Sequence, residues 1–509
     1  MYEGISMSKY DCIIIGAGLG GLTAGAILAK NGKKVLVIEM HNKVGGFATN
    51  FIRRDYMFDV SLHNFGPLKE NIVVNKAFLE LGLYDKIKYI QYDYFQRLIF
   101  PEHNIVIERP IQKYIEYLVK LFPSEENGIR EIFNLMIDIK KEFDEIEGLD
   151  VTIDKLEEVY PMLPIKFPLL VKYVETTFGE LLTTHIKNEK LKGIIGNLWW
   201  IYGVPPDRLA AILYSVPTVG YYNYSGGFIE GTSQRLSDIL AGIIKENNGE
   251  IRLNCDVKKI IMEGNKAIGV ITKECSDFYA DVIIANSSAY ETFVELMDEN
   301  EYNKRFRKKI AKLELSLSAN QLYLGLNCDA KDIGITDHCI TVFESYDMNE
   351  NFQWIMNGEY DKTFYSLTNY SLFDKSLTKE GKSVISVMSL DHINNWANLS
   401  REEYRAKKER VSNIIINKLK RRFPDIDKYI EVQEFGIPVT MERYTRNPQG
   451  AIYGSSQINS QSGVNRLSYK TPFESLYLVG AYVYPGAGYS SVISSGYKAA
   501  KEILKTFKG

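Results

Sequence analysis

Tyr10-Asp11-Cys12-Ile13-Ile14-Ile15 runs into Gly16-Ala17-Gly18-Leu19-Gly20-Gly21, then into a small-residue stretch, Leu22 to Asn31, and a second apolar run, Val35-Leu36-Val37-Ile38, closed by Glu39. The order is strand, glycine turn, helix, strand, acid. That is the first half of a dinucleotide-binding unit. Gly16 permits the tight turn, Gly18 lets backbone approach a pyrophosphate, and Gly21 lets the helix lie close to the strand. The helix N-terminus then offers free N–H groups and a partial positive charge to phosphates. Glu39 stands where a carboxylate accepts hydrogen bonds from ribose hydroxyls. The competing reading is a membrane span, because Cys12 to Ala29 carries no charge. Its glycines and its strand–helix–strand rhythm favour a buried βαβ unit instead.

A second glycine pair follows closely, in Lys43-Val44-Gly45-Gly46-Phe47-Ala48-Thr49. It resembles the GG-Arg-x-x-Thr segment of flavoproteins of the amine oxidase and phytoene desaturase type. The resemblance implies FAD, with its ADP half on Gly16, Gly18, Gly21 and Glu39 and with Gly46 close by. The family arginine is Phe47 here. If that arginine holds the diphosphate, then Lys43, Arg53 or Arg54 must take its place.

The other chain end supports the same reading. Leu476-Tyr477-Leu478-Val479-Gly480-Ala481-Tyr482 reads as a buried strand ending in a small turn. Pro485-Gly486-Ala487-Gly488 follows, and then a helix from Tyr489 to Leu504. Proline and glycines at the mouth of a helix aim backbone N–H groups outward. There a helix dipole can stabilise charge on a reduced flavin ring. The segment closely resembles the C-terminal signature of bacterial-type phytoene desaturases, carotenoid isomerases and retinol saturases. That resemblance adds Gly480, Gly486, Gly488 and Val492 to the cofactor-binding set. Gly249 to Val257 reads as one strand whose end, Val257, commonly gives this family's backbone contact to adenine.

The fold class expected is α/β, a discontinuous Rossmann-type FAD-binding domain with an α+β substrate domain. The first takes residues 1–70, 216–300 and 466–509, the second 71–215 and 301–465. Helices are expected at Ile111–Leu121 and Gly128–Glu147, a strand at Gln321–Leu326 and a charged helix at Arg401–Arg422.

Composition narrows the function. With 509 residues the chain can bury a large core, and its net charge of −3 supplies no basic field for nucleic acid. Five scattered cysteines without CxxC spacing point to reduced thiols in a cytosolic compartment, and no zinc site. Met1 to Met7 lacks the basic and apolar regions of a signal peptide. Tyrosine is abundant at 34 residues, which an aromatic-lined pocket and a skewed background explain equally well. Oligomeric state is left open.

The resemblance implies an apolar, unsaturated substrate of the carotenoid or polyisoprenoid kind, acted on by desaturation, isomerisation or saturation. The cofactor carries the hard step, so an acid or base is optional. His63 is the first candidate, being titratable and in a segment that should approach the flavin. Asp59, Arg443 and Tyr444 are the others. A structural, hydrogen-bonding role for His63 is the plainer alternative. Tyr160 to Tyr173 is apolar, proline-broken and interspersed with lysines. It reads either as a peripheral membrane patch or as an internal cap over an apolar tunnel. Leu198-Trp199-Trp200 resembles a family phrase beside the substrate cavity, with ordinary core packing as the other reading. Two further functions stay open: oxidation of another lipid or carrier-bound product, and non-enzymatic prenyl binding on the same architecture, as in Rab escort proteins.

Overall fold

The computed structural model describes residues 10–149 and 160–507. Five parallel strands form the centre of one sheet, in the order Glu250–Arg252, Val35–Ile38, Tyr10–Ile15, Asp277–Ala285, Leu476–Leu478. The start of Asp277–Ala285 also pairs antiparallel with Lys266–Thr272, which pairs with Val257–Glu263. The near-continuous apolar strands follow from burial on both faces. Cys12, Ile14, Val35, Val37, Val282 and Ile284 face one core, shared with helices Leu19–Lys30, Ser233–Glu246 and Tyr489–Thr506. Their neighbours Ile13, Ile15, Leu36, Ile38, Ile283 and Ala285 face a second core with Ile260, Phe293 and Phe473. The side-chain period of two thus assigns each residue to a layer. Helix Ile72–Leu81 adds Val74, Ala77 and Phe78 to the first core.

The reading of Gly249–Val257 as one strand is corrected. The strand stops at Arg252, Asn254 takes φ +53°, and Val257 opens the next strand, in a different pairing. The turn carries the chain away from the edge beside Val35–Ile38 and brings Val257 back near the carboxyl ends of the parallel strands.

A second, mixed sheet runs Ile430–Gly436, Ser318–Leu326, Ser383–Asp391, Tyr365–Asn369, Cys339–Val342, Tyr94–Ile99, Asn104–Glu108. One face carries Leu322, Leu324, Ile385 and Val387 onto helix Arg401–Lys420. Ala319, Gln321 and Met388 point the other way, into a cavity. Helices Ile111–Leu121, Glu126–Gly148 and Ala211–Tyr224 close that side around a third core.

Glycines let the first and last helices approach closely. A Cβ at Gly496 would stand 2.2 Å from the Gly20 carbonyl oxygen, so the C-terminal helix rests directly on the first helix. A Cβ at Gly20 would meet Asn286 Oδ1 at 2.7 Å and the Gly480 nitrogen at 3.1 Å. Gly496→Val should therefore cost about 3 kcal/mol, as overpacking at a rigid backbone contact does. Gly242→Ala, on an open helix face, should be neutral or stabilising by up to about 1 kcal/mol. Thermal unfolding of the two variants checks the contrast.

Candidate active site

One continuous cavity of about 650 Å³ lies between the two sheets. Both glycine segments open onto it. At one end are Gly16, Gly18, Glu39, Gly46 and Val257; Gly480, Gly488 and Val492 follow along its length. Gly486 lies beside Ala487 and Gly488, with φ +134°. Gly21 is inside the helix, where its Cβ would lie 2.4 Å from the Gly16 oxygen; its role is packing, with no surface toward the cavity.

The Glu39 carboxylate is buried and accepts the Ala17 N–H at 2.7 Å through Oε2 and the His41 N–H at 2.9 Å through Oε1. Each oxygen keeps a further lone pair for a ribose hydroxyl. The Lys43–Thr49 loop is tied to the first turn by Gly45 N–H on the Ala17 oxygen at 2.8 Å.

Two helices, Leu19–Lys30 and Tyr489–Thr506, direct their N-termini at this cavity. Each has glycine at the N-cap and no side-chain cap. Both keep their first N–H groups available to a ligand. The residues present fit a dinucleotide flavin: two donor-rich helix mouths, a ribose carboxylate and a glycine cradle between them.

Three expected replacements for the family arginine are placed elsewhere. Lys43 Nζ donates to Asn50 O at 2.9 Å and Oδ1 at 2.6 Å, outside the cavity. Arg53 pairs with Glu434 at 2.6 Å, and Arg54 donates to the Glu431 oxygen at 3.3 Å. The hairpin Asn50–Asp59 turns both arginines toward the second sheet's edge. Phe47 itself lines the cavity.

The catalytic candidates also separate. Arg443 is exposed and outside the cavity, and Tyr444 stacks by His41 at the nucleotide end. The short helix Pro438–Thr445 buries Met441 and turns Arg443 out to solvent, while the largely exposed Tyr444 still borders the cavity. Asp59 does not line the cavity. Its carboxylate accepts N–H groups of Ser61 (3.0 Å), Leu62 (2.7 Å) and Ser233 (2.6 Å), which fixes the start of helix Ser233–Glu246. Burial still pushes it up to about 6.

His63 does line the cavity. Its Nδ1 lies 3.0 Å from Thr368 Oγ1 and 3.2 Å from the Tyr370 hydroxyl. Burial lowers it to about 4, so the ring is neutral at pH 7. Sequence reading missed Tyr221. Its ring packs on Phe95 with centroids 4.9 Å apart, and its hydroxyl lies beside Gly66, close to Ser490 at the mouth of the C-terminal helix. Only helical spacing marks it: Leu213, Pro217 and Tyr221 form one cavity-facing stripe. The Trp pair divides, with Trp199 fully buried in the core and Trp200 lining the cavity.

The family model for flavin containing amine oxidoreductases matches residues 19–504. The chain belongs to that family. It is an FAD-dependent oxidoreductase. Among curated relatives, the carrot (Daucus carota) chloroplastic prolycopene isomerase is 26% identical, over 97% of this chain and 80% of the relative. The 4,4'-diapophytoene desaturase (4,4'-diapolycopene-forming) of Methylomonas sp is also 26% identical, over 96% of this chain and 94% of the relative. The zebrafish (Danio rerio) all-trans-retinol 13,14-reductase is 22% identical, over 92% and 82%. Among solved structures, putrescine oxidase bound to putrescine superposes with a TM-score of 0.64 at 15% identity, covering 98% of this chain and 99% of that one. That likeness concerns the fold.

The cavity lining offers a diphosphate no freely available arginine. Cavity-lining Lys140 pairs with Asp144, and Arg446 with Asp256 and Glu291. Phe47→Arg should tighten FAD retention about tenfold or more, the worth of a charge-assisted hydrogen bond to phosphate. Residual flavin absorbance after dialysis checks it; unchanged retention means the cradle is complete around Phe47.

Proposed function

We propose that this enzyme acts on a long, apolar, unsaturated substrate of the polyisoprenoid kind, at a chamber continuous with the flavin cradle. The observation that carries the reading is the distribution of charge along the cavity. Glu39, Asp256, Glu291 and Arg446 stand with the first glycine turn; of the other charged lining residues, Lys140 pairs with Asp144, and Glu147 is held by Tyr484 and Lys498. Much of the remaining wall is apolar and aromatic: Leu198, Trp200, Leu213, Val216, Tyr221 and Ile452. A hydrocarbon chain gains there by burial, at about 25 cal/mol per Å². The names of the curated relatives agree, since they include a prolycopene isomerase and a retinol reductase.

When bound, the flavin supplies hydride chemistry. The chain's own residues bind, orient and exclude water. Gly16–Gly21, Glu39, Gly46 and Val257 hold the ADP half, and the mouth of helix Tyr489–Thr506, with Gly480, Gly486, Gly488 and Val492, holds the ring. His63, neutral and anchored by Thr368 and Tyr370, offers its other ring nitrogen as a weak base or a hydrogen-bond partner. Tyr221 offers a phenolic proton from the chamber wall. Desaturation, isomerisation and saturation differ in the direction of electron flow. Anaerobic mixing of oxidised and of dithionite-reduced holoprotein with a C40 polyene should change the polyene spectrum in one redox state. Putrescine should leave the oxidised flavin unreduced. Bleaching by putrescine with no polyene change would overturn the reading, and a purified protein without flavin absorbance would favour prenyl binding.

Substrate of this kind resides in lipid, and the enzyme collects it at a membrane surface. Among the described residues no helix is long and apolar enough to cross a membrane, so the contact is peripheral. Met162, Ile165, Val171 and Val174 are exposed, Ile165 by 78%, with Lys166 and Lys172 between them. Val174 also lines the cavity, joining the patch to the chamber. Leu169 and Leu170 are half-buried, their N–H groups on Glu142, so the contact face is the other four. Ile165→Ser with Val171→Ser should reduce pelleting with liposomes several-fold and leave the flavin spectrum unchanged. Equal pelleting of both proteins, or of neither, rejects this docking face.

A further inference from the structure

Arg466 is 6% exposed and carries its charge without an acid. Nη1 donates to Gln457 Oε1 at 3.0 Å and to the Gln461 oxygen at 3.1 Å. Nη2 reaches the carbonyls of Ala481 (2.6 Å), Ser455 (3.3 Å) and Tyr453 (3.4 Å). Every acceptor is neutral. Nε is buried with no partner at all, and no ion pair to Arg466 exists among the described residues. Burial lowers it to about 10, still charged at neutral pH.

A buried, uncompensated cation costs several kcal/mol, and a buried donor left unmade costs more. The position of the charge gives it a use. A Cβ on Gly486 would lie 3.6 Å from Arg466 Nε and 3.1 Å from Gln457 Nε2. Arg466 therefore sits directly behind the Pro485–Gly488 turn, whose other side opens on the cavity at the uncapped N-terminus of helix Tyr489–Thr506. Guanidinium and helix dipole act in the same sense on whatever occupies that mouth.

We propose that Arg466 is the fixed counter-charge for the reduced flavin, holding the ring in its anionic form and raising its reduction potential. The inference rests on the reading of this turn as the flavin-facing mouth. Two-electron reduction with uptake of one proton, at N5, leaves one negative charge shared over N1 and the neighbouring carbonyl oxygen. That is the charge Arg466 lacks in the resting protein. Other groups around the turn leave the balance positive. Tyr482, Tyr484 and Tyr489 are all raised by burial and stay protonated. Glu147, bonded to the Tyr484 hydroxyl at 2.7 Å, is countered by Lys498 at 2.8 Å. His63 is neutral. Arg466 is thus a positioning charge; the group that touches substrate lies elsewhere.

The first test uses the wild-type holoprotein. Dithionite-reduced enzyme should show the spectrum of anionic reduced flavin at pH 7 and keep it at least one pH unit below the point where free reduced flavin becomes neutral. A neutral reduced flavin at pH 7 overturns the proposal without any variant. The second test measures the flavin midpoint potential by dye equilibration. Arg466→Gln should shift it to more negative values and move the ionisation of the reduced ring to higher pH; Arg466→Lys should restore much of both. A merely structural arginine would alter flavin retention or melting while leaving the potential of the bound flavin where it was, and that result also overturns the proposal. A wild-type protein that binds no FAD would instead reject the flavin site itself.

Discussion

The direct contact of backbone with backbone at Gly20, Gly480 and Gly496 is the constraint on which the rest depends. Helix Leu19–Lys30, the turn after the last parallel strand and helix Tyr489–Thr506 meet there, Gly496 directly on the Gly20 carbonyl and the Gly480 N–H on Ser495 Oγ at 2.9 Å. Asn286 fills the remaining space, its Nδ2 3.4 Å from the Gly16 oxygen. The two helices rest on one another through Gly20, at the start of one, and Gly496, two turns into the other, and their free N–H groups and positive dipole ends face one cavity. Two chain segments more than 450 residues apart in sequence thereby act as a single binding surface. A larger residue at any of the three positions would separate the helix mouths as well as loosen the core.

Electrostatics then divides the cavity along its length. At the nucleotide end the charges are paired: Arg446 spans Asp256 and Glu291, and Lys273 joins Asp256 at 2.5 Å. In the middle, titratable side chains are driven to their neutral forms by burial, as with His63 at about 4 and Tyr221 at about 12. Arg466 is the exception, a cation kept where everything near it is neutral. A chamber of this kind solvates an apolar chain and concentrates the one available field at the helix mouth. The chemistry is thus set more by where charge is withheld than by a cluster of catalytic acids and bases.

The strand–glycine–helix unit at the start and the Pro485–Gly488 turn at the end were legible because each is local: period, turn residues and terminal acid fall within a few dozen positions. Glu39 was legible for the same reason. Lys43, Arg53 and Arg54 were proposed for the diphosphate by proximity in sequence, but a hairpin reverses the chain at residue 54 and hands both arginines to carboxylates of the second sheet. Arg443 lies outside the cavity because a single helical turn decides which side chains face inward, and Met441 takes that face, while Tyr444 lines the cavity only at its nucleotide end. Tyr221 was invisible because nothing in its own neighbourhood distinguishes a cavity-facing tyrosine from a core one.

By itself the sequence determined the parallel sheet, the glycine turns, the two helices with unencumbered N-termini and the acid that closes the second strand. These follow from periodicity and backbone freedom, properties that each short segment carries alone. Only the tertiary structure decided which wall of the chamber is greasy, which histidine is neutral, and that Arg466 stands behind the Pro485–Gly488 turn with no acid beside it. Burial and field at a point are sums over residues drawn from the whole chain, and no segment contains that sum.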